Sequence, residues 1–131
     1  MATRVNVSTK GFDEYLEKLA AAGKDVDLSI AKALTAGAAV AKAGMVQRVP
    51  KDTHNLEDHI KTTEVRLSGN YSFVEVGVMD TDAETARYGN AQEYGTSSMA
   101  AQPYIRPTIK EDYGKIRKAM KDSLIEDGTI S

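Results

Sequence analysis

Residues 25–50 read DVDLSIAKALTAGAAVAKAGMVQRVP, and how this stretch folds decides the architecture. Val26, Ile30, Ala33, Leu34, Gly37, Val40, Ala41, Gly44 and Met45 recur at helical spacing, which predicts one long helix over Asp25–Val49. Its middle is unusually small: Ala36, Gly37, Ala38, Ala39, Ala41, Ala43 and Gly44. A glycine inside a helix costs about 1 kcal/mol relative to alanine. Gly37 and Gly44 fall on nearly one face. Close packing against a sheet or a neighbouring helix is therefore expected to offset that cost. Lys32 and Lys42 interrupt the apolar run well short of the ~20 residues a membrane span needs. Pro50 ends the helix by forcing Val49 toward extended geometry.

On the N-terminal side, residues 3–8 (TRVNVS) alternate weakly and predict a short edge strand. Phe12, Tyr15, Leu16 and Leu19 then form an apolar stripe for a helix over Phe12–Ala22, with Gly23 as its stop. On the C-terminal side a β-hairpin follows. One arm runs Asp58–Leu67, the turn is Ser68-Gly69-Asn70, and the other arm runs Tyr71–Met79 with Val74, Val76 and Val78 on one face. Thr81 and Glu84 have capping-box spacing and open a third, short helix that Gly95 closes. Thr96–Arg106 reads as loop or extended chain, because Pro103 and Pro107 disfavour helix at the residues before them.

Pro107 suits the first turn of a last helix, whose buried stripe is Ile109, Tyr113, Ile116, Met120 and Leu124. Asp127-Gly128-Thr129 begins a frayed tail. The order β, α, α, β, β, α, α predicts an α+β fold. A small, mostly antiparallel sheet (the N-terminal strand plus the central hairpin) is packed by the long Ala/Gly-rich helix and the C-terminal amphipathic helix. The chain reads as one domain over 1–131, with 1–10 and 126–131 as peripheral arms.

Composition narrows the function. The 131 residues contain no cysteine, which excludes disulfides, zinc-thiolate sites and cysteine nucleophiles. Net charge is -2 with both signs interspersed, unlike the strongly basic surface of a typical nucleic-acid-binding domain. Only the last third leans basic, through Lys110, Lys115, Arg117, Lys118 and Lys121, and Glu111, Asp112, Asp122 and Glu126 dilute it into a solvated helix face.

No constellation of side chains spells out chemistry. His54 and His59 have Asp52, Glu57 and Asp58 nearby, but this spacing is no ligand signature, so no metal is expected. Glu93 lacks a matched second carboxylate for acid–base work and reads as a helix-end structural carboxylate or a member of an intersubunit ion pair. No catalytic residue and no cofactor is expected. Arg106, between Tyr104 and Pro107, fits two readings on sequence alone: an interface anchor in a proline-stiffened segment, or a surface arginine packed on its own domain.

Two blocks carry a family resemblance. The first, PKDTHNLEDHI at 50–60, resembles a family pattern at Pro50, Thr53, Leu56 and Ile60, with His54 where glycine is usual and His59 where serine is usual. The second is Tyr88, Ala91, Glu93, Tyr94, Gly95, Thr96, then Met99, Ala101, Gln102, Pro103, Tyr104, Ile105, Arg106 and Pro107. Together they are similar to the neck, or tail-completion, proteins of tailed bacteriophages. The resemblance implies a non-enzymatic virion protein at the head–tail junction or the upper end of the tail, assembled in the host bacterial cytoplasm.

It also implies a homo-oligomeric ring (hexamer or dodecamer) that meets other neck, head-completion and tail proteins. Such a ring encloses the DNA channel without sequence-specific nucleic-acid binding, and no membrane is involved. The interface candidates are Tyr88, Glu93, Tyr94, Gly95, Thr96, Pro103, Tyr104, Arg106 and Pro107. Three alternatives stand beside this reading: a tail terminator capping the tail tube, a small cytoplasmic enzyme using Glu93 and His54, and a nucleic-acid-binding regulator using the basic side of the last helix.

Overall fold

The computed structural model describes residues 4–49, 55–68, 71–79, 83–98 and 100–129. In chain order the elements are β1 (Arg4–Ser8), α1 (Asp13–Ala21), α2 (Val26–Arg48), α3 (Asn55–Asp58), β2 (Ile60–Thr62), β3 (Arg66–Ser68), β4 (Tyr71–Val78), α4 (Ala83–Tyr94) and α5 (Ile105–Thr129). This is the α+β fold expected, with a small antiparallel sheet against helices.

Asp25 caps α2: its carboxylate accepts the Leu28 N–H at 3.1 Å. At the other end Val49 is extended (φ -67, ψ 140), as a residue preceding proline should be. The buried face is Ser29, Ala33, Leu34, Gly37, Ala38, Ala41, Gly44 and Met45. The element that comes closest is α5, which α2 touches more extensively than any other. A methyl group on Gly37 would stand 2.7 Å from Met120 Cγ, and one on Gly44 would collide with Asp112 Oδ2. The two glycines thus mark where side chains of α5, Met120 and Asp112, press against the backbone of α2.

β4 is the centre of the sheet. β1 pairs with it on one side (Val5 opposite Val76, Val7 opposite Val74), and β2 and β3 pair with it on the other. Val5, Val7, Ile60, Val74, Val76 and Val78 face inward and join Leu34, Met45, Met120 and Leu124 in one buried cluster.

The hairpin departs from expectation. The arm expected over 58–67 is broken. Asp58 ends the short helix α3, and Thr62 opposes Val76 while Arg66 opposes Phe73. Residues 63–65 therefore face only Val74 and Glu75, a β-bulge. Thr63 bridges it: its N–H donates to the Glu75 carbonyl and its Oγ1 accepts the Glu75 N–H, both at 2.9 Å. The turn residues Gly69 and Asn70, Thr81 of the capping box, and Pro50–His54 lie outside the described residues.

The last helix differs in three ways. It starts at Ile105, so Arg106 is helical despite preceding Pro107. Its buried line is Ile105, Thr108, Asp112, Ile116, Met120 and Leu124, whereas Ile109 and Tyr113 are exposed. The cause is polar. Arg48 meets Asp112 in a fork, Nη1 to Oδ2 at 2.7 Å and Nη2 to Oδ1 at 3.3 Å, and also reaches Thr108 Oγ1 at 3.1 Å. That pairing turns Asp112 inward under Gly44 and rotates Ile109 and Tyr113 out. Finally, the end is not frayed: Asp127 accepts Ser29 Oγ at 2.7 Å and Lys32 Nζ at 3.4 Å, and the helix runs to Thr129. Nor is the other end a mere arm, since Val5 and Val7 belong to the core.

Candidate functional site

The expected docking segment joins α4 to α5. Gly95, at φ +77, reverses the chain after α4, a conformation that glycine adopts without a side-chain penalty. Its N–H donates to the Ala91 carbonyl at 2.8 Å, and Gln102 returns beside α4 through a bond from its N–H to the Gln92 carbonyl at 2.6 Å. Thr96–Ser98 and Ala100–Gln102 are exposed. Met99 lies outside the described residues.

Glu93 holds this bend together. Its side chain is 0% exposed. Oε1 accepts the N–H groups of Tyr104 (2.9 Å) and Ile105 (2.7 Å); Oε2 accepts the N–H and the Nε of Arg106, both at 2.9 Å. The Arg106 guanidinium also donates through Nη2 to the Glu93 carbonyl. The first N–H groups of a helix have no partner within the helix and carry the positive end of its dipole. Here one carboxylate from another helix takes three of them in succession. Pro107, next in line, has no N–H to satisfy. The order Glu-Tyr-Gly…Pro-Tyr-Ile-Arg-Pro therefore has an intramolecular explanation: it is a cap that α4 supplies to α5.

Burial alone would push the Glu93 carboxyl up. The N–H groups of Ile105, Arg106 and Tyr104 and the Arg106 guanidinium outweigh it and hold the group below the ordinary carboxylate range. Tyr104 lies beneath the latch at 0% exposure. Burial first, and the Glu93 charge second, raise its hydroxyl far above the usual tyrosine value. Thr108 Oγ1 closes the turn on the Tyr104 carbonyl at 2.7 Å.

The structure divides the nine interface candidates. Glu93 and Tyr104 are wholly buried in their own subunit, so neither can touch a partner as the chain is folded; this corrects their placement at a contact surface. Tyr88, Tyr94, Thr96 and Arg106 are exposed, and Gly95, Pro103 and Pro107 are half-buried. Arg106, 53% exposed, lies with its guanidinium 4.8 Å from the centre of the Tyr94 ring. This arginine packs on its own domain and leaves more than half of its side chain exposed.

Sequence reasoning missed the Arg48–Asp112 fork. Its signal was available in the collision of a carboxylate at 112 with an apolar period that predicts burial nearby.

For other chemistry there is little support. No group of three or more His, Cys, Asp or Glu that could hold a metal occurs among the described residues; His54 lies outside them. Both oxygens of Glu93 are occupied, so it has no lone pair aimed at a substrate. Of the basic residues on α5, Arg117 is turned onto the Ser8 carbonyl at 3.0 Å and the Phe12 ring, and Lys118 pairs with Asp122 at 2.9 Å. No described helix is long and apolar enough to cross a membrane.

Among protein families, residues 10–95 match the HK97-gp10-like family, described as "Bacteriophage HK97-gp10, putative tail-component". The chain belongs to the HK97-gp10-like family. A phage virion structural role follows from that membership. The matched span contains the first resemblance block and the front of the second, through Gly95. Pro103–Pro107 lies beyond it, yet is joined to it by the Glu93 carboxylate. No curated protein and no solved structure matches the chain.

Proposed function

We propose that this HK97-gp10-like protein is a non-enzymatic building block of the neck or upper tail of a tailed phage, acting by ring-forming contacts. It meets copies of itself and other neck, head-completion and tail proteins around the DNA channel. The observation that carries the docking role is the Glu93 latch, because it ties α4 to the start of α5 and so holds both ends of the connection whose residues 96–98 and 100–102 are exposed. An ordered loop loses less conformational entropy when it is gripped than a free one does. Family membership supports the virion setting, and the Glu93 carboxylate is already engaged by four donors of its own chain. A tail terminator is the other reading of the same surfaces.

Sizing the purified protein, alone and with its neck partners, tests the proposal. A multimer under at least one condition is the expected result. A strict monomer under both counts against ring formation, and a normal yield of joined particles from a phage lacking this chain would overturn the neck role.

A further inference from the structure

The two edges of the sheet are unlike, and each carries what the other lacks. β1 is one edge: among the described residues it pairs with β4 alone. Thr9 and Ser72 exchange bonds across β4, the Thr9 N–H reaching the Ser72 carbonyl and the Ser72 N–H reaching Thr9 Oγ1. By the antiparallel alternation the Val5 and Val7 peptides also face β4, leaving the Asn6 peptide pointing at the open edge. Beside that edge runs a groove of about 460 Å³ between β1 and α5. Ile109, Tyr113 and Met120 supply its apolar wall, and Tyr113 is 60% exposed. Its charged lining residues, Arg4, Lys10 and Arg117, are all cations. Arg4 pairs with Glu75 at 3.5 Å, whereas Lys10 and Arg117 sit on aromatic rings, those of Tyr71 and Phe12.

The opposite edge is the bulged hairpin. Leu67 is 80% exposed, and Val65 is exposed beside it. Leu67 opposes Ser72, whose side chain is on the buried face with Val74 and Val76. Leu67 therefore points to the helix side of the sheet but overhangs the core. Next to it Glu64 makes no ion pair among the described residues.

We infer that the hairpin of one copy docks in the β1–α5 groove of the next, with Leu67 against Ile109 and Tyr113 and the Glu64 carboxylate among the groove's cations. The two patches have opposite needs: on one, an overhanging leucine and an acid without an ion pair among the described residues; on the other, an apolar slot whose charged lining is cationic, with Lys10 and Arg117 held by no carboxylate among the described residues. Leu67 and the apolar wall of the groove lie on the helix side of the same sheet at opposite edges, so copies set edge to edge bring them together. Because the patches are different surfaces, the contact is heterologous and closes into a ring or runs on as a filament. This inference rests on the ring reading above and names the surfaces that make it.

The chain has no cysteine, so engineered thiols report cleanly. Leu67→Cys with Tyr113→Cys in one chain should give a covalent ladder on oxidation or with a short bis-maleimide. Each single variant alone should stay uncrosslinked, and a mixture of the two singles should stop at a dimer. Leu67→Glu, at an exposed site, should weaken self-association roughly 30-fold, the loss typical of an interface anchor, with circular dichroism unchanged. If the wild type sizes as a multimer and the double variant gives no ladder, or Leu67→Glu associates as well as wild type, this contact is overturned while the ring reading survives. If the wild type is a strict monomer alone and with its neck partners, both fall.

Discussion

The α2–α5 crossing and the α4–α5 bend are joined by the same helix and held by opposite means. At the crossing, Leu34, Ala38, Ala41, Met45, Met120 and Leu124 are buried around two glycines, and the stabilisation is mostly apolar surface removed from water. α4 instead buries Thr85, Gly89, Gln92 and Glu93, with little apolar surface of its own. It is tied to α5 chiefly through the Glu93 carboxylate, with the Glu93 carbonyl and the Tyr94 ring also meeting Arg106. Apolar packing is spread over many atoms and indifferent to pH. A carboxylate latch concentrates the attachment in a single ionisable group whose loss orphans several donors together. The crossing should therefore set global stability, and the bend should open as a local unit.

The largest effect that separates them is expected from Met120→Ala. Met120 is fully buried and fills the space over Gly37, so truncation should cost about 2–5 kcal/mol. Denaturant melts should show it as a global loss. Hydrogen exchange should report it in α2 and α5 alike; a loss confined to one helix would mean the crossing is not one cooperative unit.

Glu93→Gln comes next. The amide keeps the size but loses the charge, and its NH₂ must face donors rather than accept from them. Unsatisfied buried donors cost about 1–3 kcal/mol each. The visible global loss is nevertheless limited to what local opening of the bend requires. Expected is fast exchange in α4 and at Tyr104–Arg106, with α2 still protected. Protection lost equally in α2 would erase the proposed difference between the regions.

Acid sharpens the same contrast more gently. The folded-state pKa of Glu93 lies below its unfolded value, so its contribution is full above the unfolded carboxylate pKa, about 4.3, and is lost as pH falls through the lowered folded value. Asp112, held low chiefly by its hydrogen bonds to Arg48, follows the same sign at the crossing. There the apolar core remains when the pair is gone. Lowering the pH should therefore release α4 before α2, read from residue-level exchange. Simultaneous release would show that Asp112 matters more than the packing around it.

What could be read from the chain follows this division. The order and type of the main elements came from periodicity, because helices and strands announce their buried faces locally. The long helix and the crowding at Gly37 and Gly44 were both visible in that way. The bulge at Thr63 and the outward turn of Ile109 and Tyr113 were not. Each depends on a partner distant in sequence, Glu75 for one and Arg48 for the other, that no local period encodes. The same limit applies to the bend. The pattern around Glu93 could be recognised as purposeful, but whether a carboxylate grips a neighbour or its own backbone is decided by three N–H groups eleven to thirteen residues away.

The smallest predicted change in stability is the one that tests the bend's role most directly. Arg106→Ala removes the guanidinium from Glu93 Oε2, from the Glu93 carbonyl and from the Tyr94 ring. It leaves the Arg106 N–H and the Tyr104 and Ile105 bonds in place. The side chain is more than half exposed, so water screens the ion pair and the loss should be about 1 kcal/mol or less. If the exposed faces of Arg106 and Tyr94 also grip a neighbouring protein, the variant should fold almost normally and yet fail to join heads to tails. A variant that is slightly less stable and joins particles at the normal yield would leave Arg106 with a single task, holding its own helix end, and would move the docking surface elsewhere on the protein.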